Sequence, residues 1–226
     1  MPTLVIANKL YSSWSMRPWL LMKHLGISFD EIVIPLDQPD TAARIRKHSP
    51  AGRVPVLVDG DVTVWESLAI MEYVADTYST AVWPLDPKAR AMARAVAAEM
   101  HAGFQALRSA CPMNLGKKFA HRERGEAVDR DVARIERIFR EARGRFGTDG
   151  PFLFGEFSAA DAMFAPVVTR LSTYSIPVDP GTAAYMDAVL SLPAFQVWLL
   201  DALKETWIVP HDEVDEEPIA IYRRAA

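Results

Sequence analysis

The sequence predicts an α/β unit followed by an all-helical unit, a fold class of α/β + all-α. Three observations lead there. Residues 1–80 alternate strand-like and helix-like stretches in the order β-α-β-α-β-β-α. Residues 81–88, AVWPLDPK, break that pattern with two prolines and read as a linker. The chain from residue 89 to 226 then carries apolar residues at helical spacing and no strand-like alternation.

Each element has its own signal. TLVIAN (3–8) is short, apolar and β-branched, as a buried strand is. RPWLLMKHL (17–25) has helical spacing, with Pro18 in its first turn and Gly26 as C-terminal cap. FDEIVIPL (29–36) alternates as a second strand, and TAARIRKHS (41–49) is a polar helix-like stretch. The first crossover makes the two strands parallel. In VPVLVDGDVTVWES (54–67), Asp59-Gly60 lies between two alternating runs and signals a hairpin, because both residues tolerate φ > 0. Ser67 then reads as the N-cap of LAIMEYVADTY (68–78). Helices follow over 89–108, 125–146, 158–174 and 182–205, the last divided near Pro193. Residues 158–174 are apolar almost all round, which predicts a buried central helix kinked at Pro166.

Composition narrows the function. Half of the 226 residues are hydrophobic and mean hydropathy is close to zero, as in a soluble globular protein. The net charge is −4 and the basic residues form no stripe, which argues against nucleic acid as a partner. A single cysteine, Cys111, excludes an intramolecular disulfide and a cysteine-rich metal site. His24, His48, His101, His121 and His211 show no metal-ligand spacing, so no metal is expected. No signal peptide and no membrane-length apolar run is visible, which predicts a cytoplasmic protein without a membrane association.

The stretch YSSWSMRPWL (11–20) places Ser12 and Ser13 between a strand and a helix carrying Arg17. A serine there serves as a helix N-cap, or as a hydroxyl that meets a ligand. Both readings hold for the pair alone. Ser158 and Asp161 form a capping box with Asp in place of Glu or Gln, a folding element without chemistry. Cys111 has no CxxC partner and reads as a buried, inert thiol.

Taken together, the element order, the Ser-rich first turn, Val54-Pro55 before the third strand and Glu66-Ser67 at the last helix resemble the glutathione transferase superfamily. The helical second unit extends that resemblance over nearly the whole chain. SSWSMR looks most like the SSxxxR first turn of zeta-class and similar serine-type bacterial members. The resemblance implies a thioredoxin-like domain over 1–80, a helical domain over 89–226 and a homodimer. It implies a transferase, of the kind used in detoxification, that takes glutathione as co-substrate and adds its thiolate to a small electrophile. Glutathione-dependent isomerase or peroxidase chemistry shares that first step. The same scaffold also serves non-catalytic accessory proteins.

The resemblance also implies site residues. A thiol titrates at about 8.5, and a hydroxyl at a helix N-terminus stabilises its thiolate. The zeta-like pattern assigns that task to Ser12, five residues before Arg17; other serine-type classes count four and pick Ser13. Trp14 stands where zeta members often carry Cys. Val54-Pro55 is implied to be cis, leaving the Val54 backbone free for the extended tripeptide. Glu66 and Ser67 are implied to hold the γ-glutamyl end, and Lys47, His48 or Arg53 the glycyl carboxylate. For the acceptor, the first-turn loop offers Leu10, Tyr11 and Trp14. The first helix of the second domain and its continuation offer Met100, His101, Phe104, Arg108, Met113 and Asn114. Met100, Phe104 and Arg108 recur every four residues and share a helix face; the apolar members suit a core equally well. Arg108 either pairs a carboxylate on the acceptor or is an ordinary surface arginine. Arg170 and Tyr174, one turn apart on the buried helix, invite the same thought. Arg170 does not fall where zeta isomerases use an arginine further along that helix.

Overall fold

A computed structural model describes residues 1–147 and 150–223. The first unit is a four-stranded sheet of order β2-β1-β3-β4, built from β1 (Thr3–Ile6), β2 (Asp30–Val33), β3 (Val56–Asp59) and β4 (Val62–Trp65). β1 runs parallel to β2 and antiparallel to β3, and β3 and β4 close a hairpin with Asp59 opposite Val62. That register makes the loop Gly60-Asp61, one residue later than the sequence signal, with Gly60 at φ 60°. Gly at the first loop position is the pattern that matches strand twist.

Helices α1 (Ser13–His24), α2 (Thr41–Arg46) and α3 (Ser67–Thr77) cover the sheet. One sheet face sends Leu4, Ile6 and Leu57 into the main core, and the other sends Val5 and Val56 against Ile34 and Ile45. Two helix starts differ from expectation. α1 begins at Ser13 rather than near Arg17, because Ser12 caps it and its side chain accepts from the Ser15 N–H. α3 is capped by Glu66 rather than Ser67; Glu66 lies in the left-handed region at φ 70°. Ser67 therefore stands inside the first turn and points inward.

The second unit comprises α4 (Pro87–Ala102), α5 (Gln105–Ala110), α6 (Glu126–Phe146), α7 (Ala159–Thr173), α8 (Pro180–Leu190) and α9 (Pro193–Ala202). The single helix expected over 89–108 is two, because the chain turns at Gly103 and at Phe104, whose φ is 56°. A Cβ on Gly103 would meet the Glu99 carbonyl at 2.8 Å, so glycine is required at this break. A two-residue ladder between β5 (Lys117–Lys118) and β6 (Ala220–Ile221) ties the end of the chain back to the helices. The expected end of the helical domain, residues 224–226, lies outside the described residues. No single helix among the described residues is long and apolar enough to cross a membrane.

α7 is buried along nearly its whole length, continues through Pro166, and packs against α1, α4 and α8. Its N-terminus rests on Asp161, which is fully buried. The Asp161 carboxylate accepts from the Ser158 N–H and hydroxyl at 2.9 Å each, the Leu153 N–H at 3.0 Å and the Tyr185 hydroxyl at 3.1 Å. Burial pushes this carboxyl up to about 6 while the four donors pull it back. Asp161→Ala strands all four donors in a dry site, so urea unfolding is expected to report a loss of about 3 kcal/mol or more, above the 0.5–2 kcal/mol of a simple cap. A loss under about 1 kcal/mol would contradict this account of α7.

Candidate functional site

A cavity of about 360 Å³ opens between the two units. It is lined by Trp14 of α1, the Arg53–Pro55 segment, Trp65 at the end of β4, Glu66 and Ser67 at the start of α3, His101 of α4 and Arg108 of α5. The Val54–Pro55 peptide is cis. Neither the Val54 N–H nor its carbonyl is hydrogen-bonded among the described residues. Ser67 is 1% exposed, and its hydroxyl has no partner there either. Buried polar atoms are almost always paired, so an unpaired one at a cavity wall marks a place for a polar ligand.

The first turn of α1 is held from below. Ser15 is completely buried, and its Oγ accepts from the Ala7 N–H at 3.0 Å. The Ser15 and Ser12 hydroxyls lie 2.8 Å apart. Ser12 donates this bond to Ser15 Oγ, and the Ser12 oxygen accepts from the Ser15 N–H at 3.4 Å. Ser13 is 8% exposed and its hydroxyl has no protein partner among the described residues. Ser15 escaped the sequence reading, although its place three residues after a serine cap is a visible signal.

His101 meets Trp14 edge-on, with ring centroids 5.1 Å apart. Its Nδ1 is buried without a partner among the described residues, and its Nε2 lies 3.8 Å from a Glu66 oxygen. Burial lowers its affinity for a proton, opposed by the Glu66 charge. The Trp14 ring also lies 4.0 Å from the Arg17 guanidinium and 4.7 Å from that of Arg108.

Several expected residues lie elsewhere. His48 and Lys47 follow α2 and do not line the cavity, whereas Arg53 does. Ser12 and Ser13 border Trp14 without being part of the lining. Met100 and Phe104 are buried in the main core, because the break at Gly103 removes their common face with Arg108. Leu10 and Met113 are core residues too. Tyr11 and Asn114 turn toward Glu213 of the C-terminal segment, which accepts from the Tyr11 hydroxyl at 2.5 Å, Asn114 Nδ2 at 3.2 Å and Lys117 Nζ at 2.6 Å. Burial and Glu213 raise the Tyr11 phenol well above its ordinary value, so it is not an activating group. Tyr174 donates to the Pro112 carbonyl at 2.9 Å, and burial pushes the Cys111 thiol up to about 11.

Comparison with known proteins agrees with this geometry. Residues 11–77 match the family described as Glutathione S-transferase, N-terminal domain, and residues 125–188 match Glutathione S-transferase, C-terminal domain. The chain belongs to the glutathione S-transferase superfamily. Maleylacetoacetate isomerase of Rattus norvegicus is 27% identical over 192 residues, covering 82% of this chain and 86% of that protein. Glutathione S-transferase Z2 of Arabidopsis thaliana is 27% identical over 204 residues, covering 83% and 88%. A glutathione transferase homolog from Burkholderia, solved with bound glutathione, superposes with a TM-score of 0.68 at 25% identity over 89% of this chain and 97% of that one. The unpaired groups at Val54 and Ser67 belong to the N-terminal domain of this superfamily.

The depressed proton affinity of His101 gives a pH prediction. The folded protein prefers neutral His101, so its contribution to stability is present above the unfolded value of about 6.5 and is lost as pH falls through the lower folded value. Titrating the imidazole by NMR should give a midpoint below 6.5, and Glu66→Gln should lower it further by removing the one charge that raises it. A midpoint at or above 6.5 would contradict the described burial.

Proposed function

We propose that this protein is a glutathione-dependent transferase that lowers the pKa of the glutathione thiol and presents the thiolate to a small electrophile. The observation that carries this reading is the convergence of unpaired groups, the Ser67 hydroxyl and the Val54 N–H and carbonyl, on one cavity that Trp14 of the first turn of α1 also lines. The residues fit the tripeptide. Ser67 and the first-turn N–H groups of α3 would hold one carboxylate, with Glu66 beside them for the ammonium group. The Val54 backbone would pair the middle of the peptide as an added strand does, and Arg53 would face the second carboxylate. Bound there, glutathione supplies the nucleophilic sulfur.

The protein's own part is to make that sulfur anionic at neutral pH and to place it. Lowering a thiol pKa by roughly two units requires about 2.7 kcal/mol of preferential stabilisation of the charged form. One charge-assisted hydrogen bond and a helix N-terminus together supply that amount. We assign the hydrogen bond to Ser12, the serine that the zeta-like pattern picks five residues before Arg17; a thiolate there would take the proton that Ser12 otherwise donates to Ser15 Oγ. Ser13 is the second reading, favoured by its unpaired hydroxyl. The domain division is placed at residues 80 and 89. A homodimer is proposed over the face of Val62 and Trp65, which are 39% and 43% exposed; Trp65 also lines the cavity. A cytoplasmic location follows from the same reading.

The test is kcat/KM with a neutral chlorodinitrobenzene across pH. Below the thiol pKa, Ser12→Ala should reduce kcat/KM by roughly 10–100-fold and converge on wild type as pH approaches about 9, as a lost two-unit shift requires. A loss confined to Ser13→Ala would transfer the role to Ser13. Glutathione binding with an unchanged profile in both variants would contradict the transferase reading and favour an accessory protein.

A further inference from the structure

Arg17 and Arg108 flank the Trp14 ring at 4.0 and 4.7 Å, Arg170 lies within electrostatic reach of both, and none of the three has a carboxylate partner among the described residues. Arg17 is completely buried; its Nε donates to the Met163 carbonyl at 3.1 Å, its Nη1 to the Ser13 carbonyl at 3.3 Å, and its Nη2 has no partner among the described residues. Arg170 is 4% exposed and spends its Nε on the Cys111 carbonyl at 2.9 Å and its Nη1 on the Pro166 carbonyl at 3.1 Å. Arg108 is half-buried at the cavity wall and makes one long bond, 3.4 Å, to the Gly103 carbonyl. Arginines that do pair with carboxylates, such as Arg94, Arg124 and Arg134, lie elsewhere. The nearest acidic influences are Asp212, whose field reaches Arg170, and Glu66, which faces His101.

Burial and repulsion from the other two push Arg17 well below its ordinary value, and Arg170 falls to about 10. Arginine keeps its proton inside proteins, so all three stay charged at neutral pH. Like charges buried without a counter-ion are strongly unfavourable, and a fold that keeps them has a use for an anion beside them. On the glutathione reading, both carboxylates of the tripeptide have partners elsewhere, at Ser67 and at Arg53. Arg108 is left with an open planar fork, a flat indole beside it and two more positive charges behind.

We propose that the electrophile accepted by this site carries a carboxylate, received by Arg108 against the Trp14 ring, with Arg17 and Arg170 supplying the positive field behind it. The claim deepens the glutathione reading and rests on it. Planar bidentate pairing makes Arg108 a specificity residue: it selects an anionic acceptor and contributes no proton or nucleophile.

The test uses the full-length protein and two non-reactive product analogues, S-benzylglutathione and S-(4-carboxybenzyl)glutathione, in a calorimetric titration. Wild type should bind the carboxylated analogue tighter by about tenfold or more, an advantage that shrinks with added salt. In Arg108→Gln the ratio should fall to within about twofold of unity, and Arg108→Lys should keep part of it, as a point charge without the fork does. Equal affinities in wild type would overturn the proposal and leave the glutathione reading standing. A preference that survives Arg108→Gln would overturn the assignment to Arg108. If that variant weakens both analogues equally, Arg108 serves the tripeptide, and the proposal is also overturned. If neither analogue binds, the glutathione reading itself fails and takes this inference with it.

Discussion

The site depends on how α1 is fixed between the two units. Its buried face contacts α3 on one side and α7 and α9 on the other. The loop that leads into it is pinned by distant residues: the Glu205 carboxylate accepts from the Lys9 and Leu10 N–H groups at 2.7 and 3.0 Å, and Trp198 Nε1 donates to the Lys9 carbonyl at 2.9 Å. Arg17 extends the clamp by donating to Met163 on α7. With both ends held, the first turn of α1 has one orientation, with Trp14 at the cavity wall and Ser12 and Ser13 beside it. Preorganisation of this kind removes the reorganisation that a mobile serine loop would require when a charge appears.

The same clamp explains why a helix with Pro18 at its sixth position persists. Proline there has no N–H for the Trp14 carbonyl and costs an isolated helix about 3 kcal/mol. Burial of Met16, Trp19, Leu20, Leu21 and Met22 on several partners offsets that, since each fully buried large apolar side chain contributes roughly 1.5–3 kcal/mol. The C-terminal segment adds a second layer. Glu213 gathers Tyr11, Asn114 and Lys117, and Glu216 takes a bidentate pair from Arg124. These contacts turn Tyr11 away from the cavity and leave the serines as the hydroxyls at the first turn.

What the sequence made legible was local chemistry. The hairpin between residues 54 and 67, the capping box at Ser158 and the all-round apolar character of α7 each follow from a few neighbouring residues. Trp14, His101 and Arg108 were likewise readable as candidates, and the structure brings them to one cavity. Helix starts were read less well. Pro18 suggested a first turn near Arg17, whereas burial of α1 overrides the preference of proline for that position. Apolar spacing continues across Gly103, so periodicity alone joined α4 to α5 and gave Met100, Phe104 and Arg108 a common face they do not have. The partners of Glu205 lie 195 and 196 residues away in the chain and those of Glu213 between 96 and 202, and the charge environment of Arg17 and Arg170 emerges only in three dimensions. No local pattern encodes such facts.

The central claim is that the clamped N-terminus of α1 turns a thiol into a thiolate. The most direct measurement is an ultraviolet titration of glutathione bound to the wild-type protein, following thiolate absorbance against pH. The account predicts a bound thiol pKa of about 6.5, two units below the free value of about 8.5. Saturated binding with a thiol that still titrates at about 8.5 would contradict it.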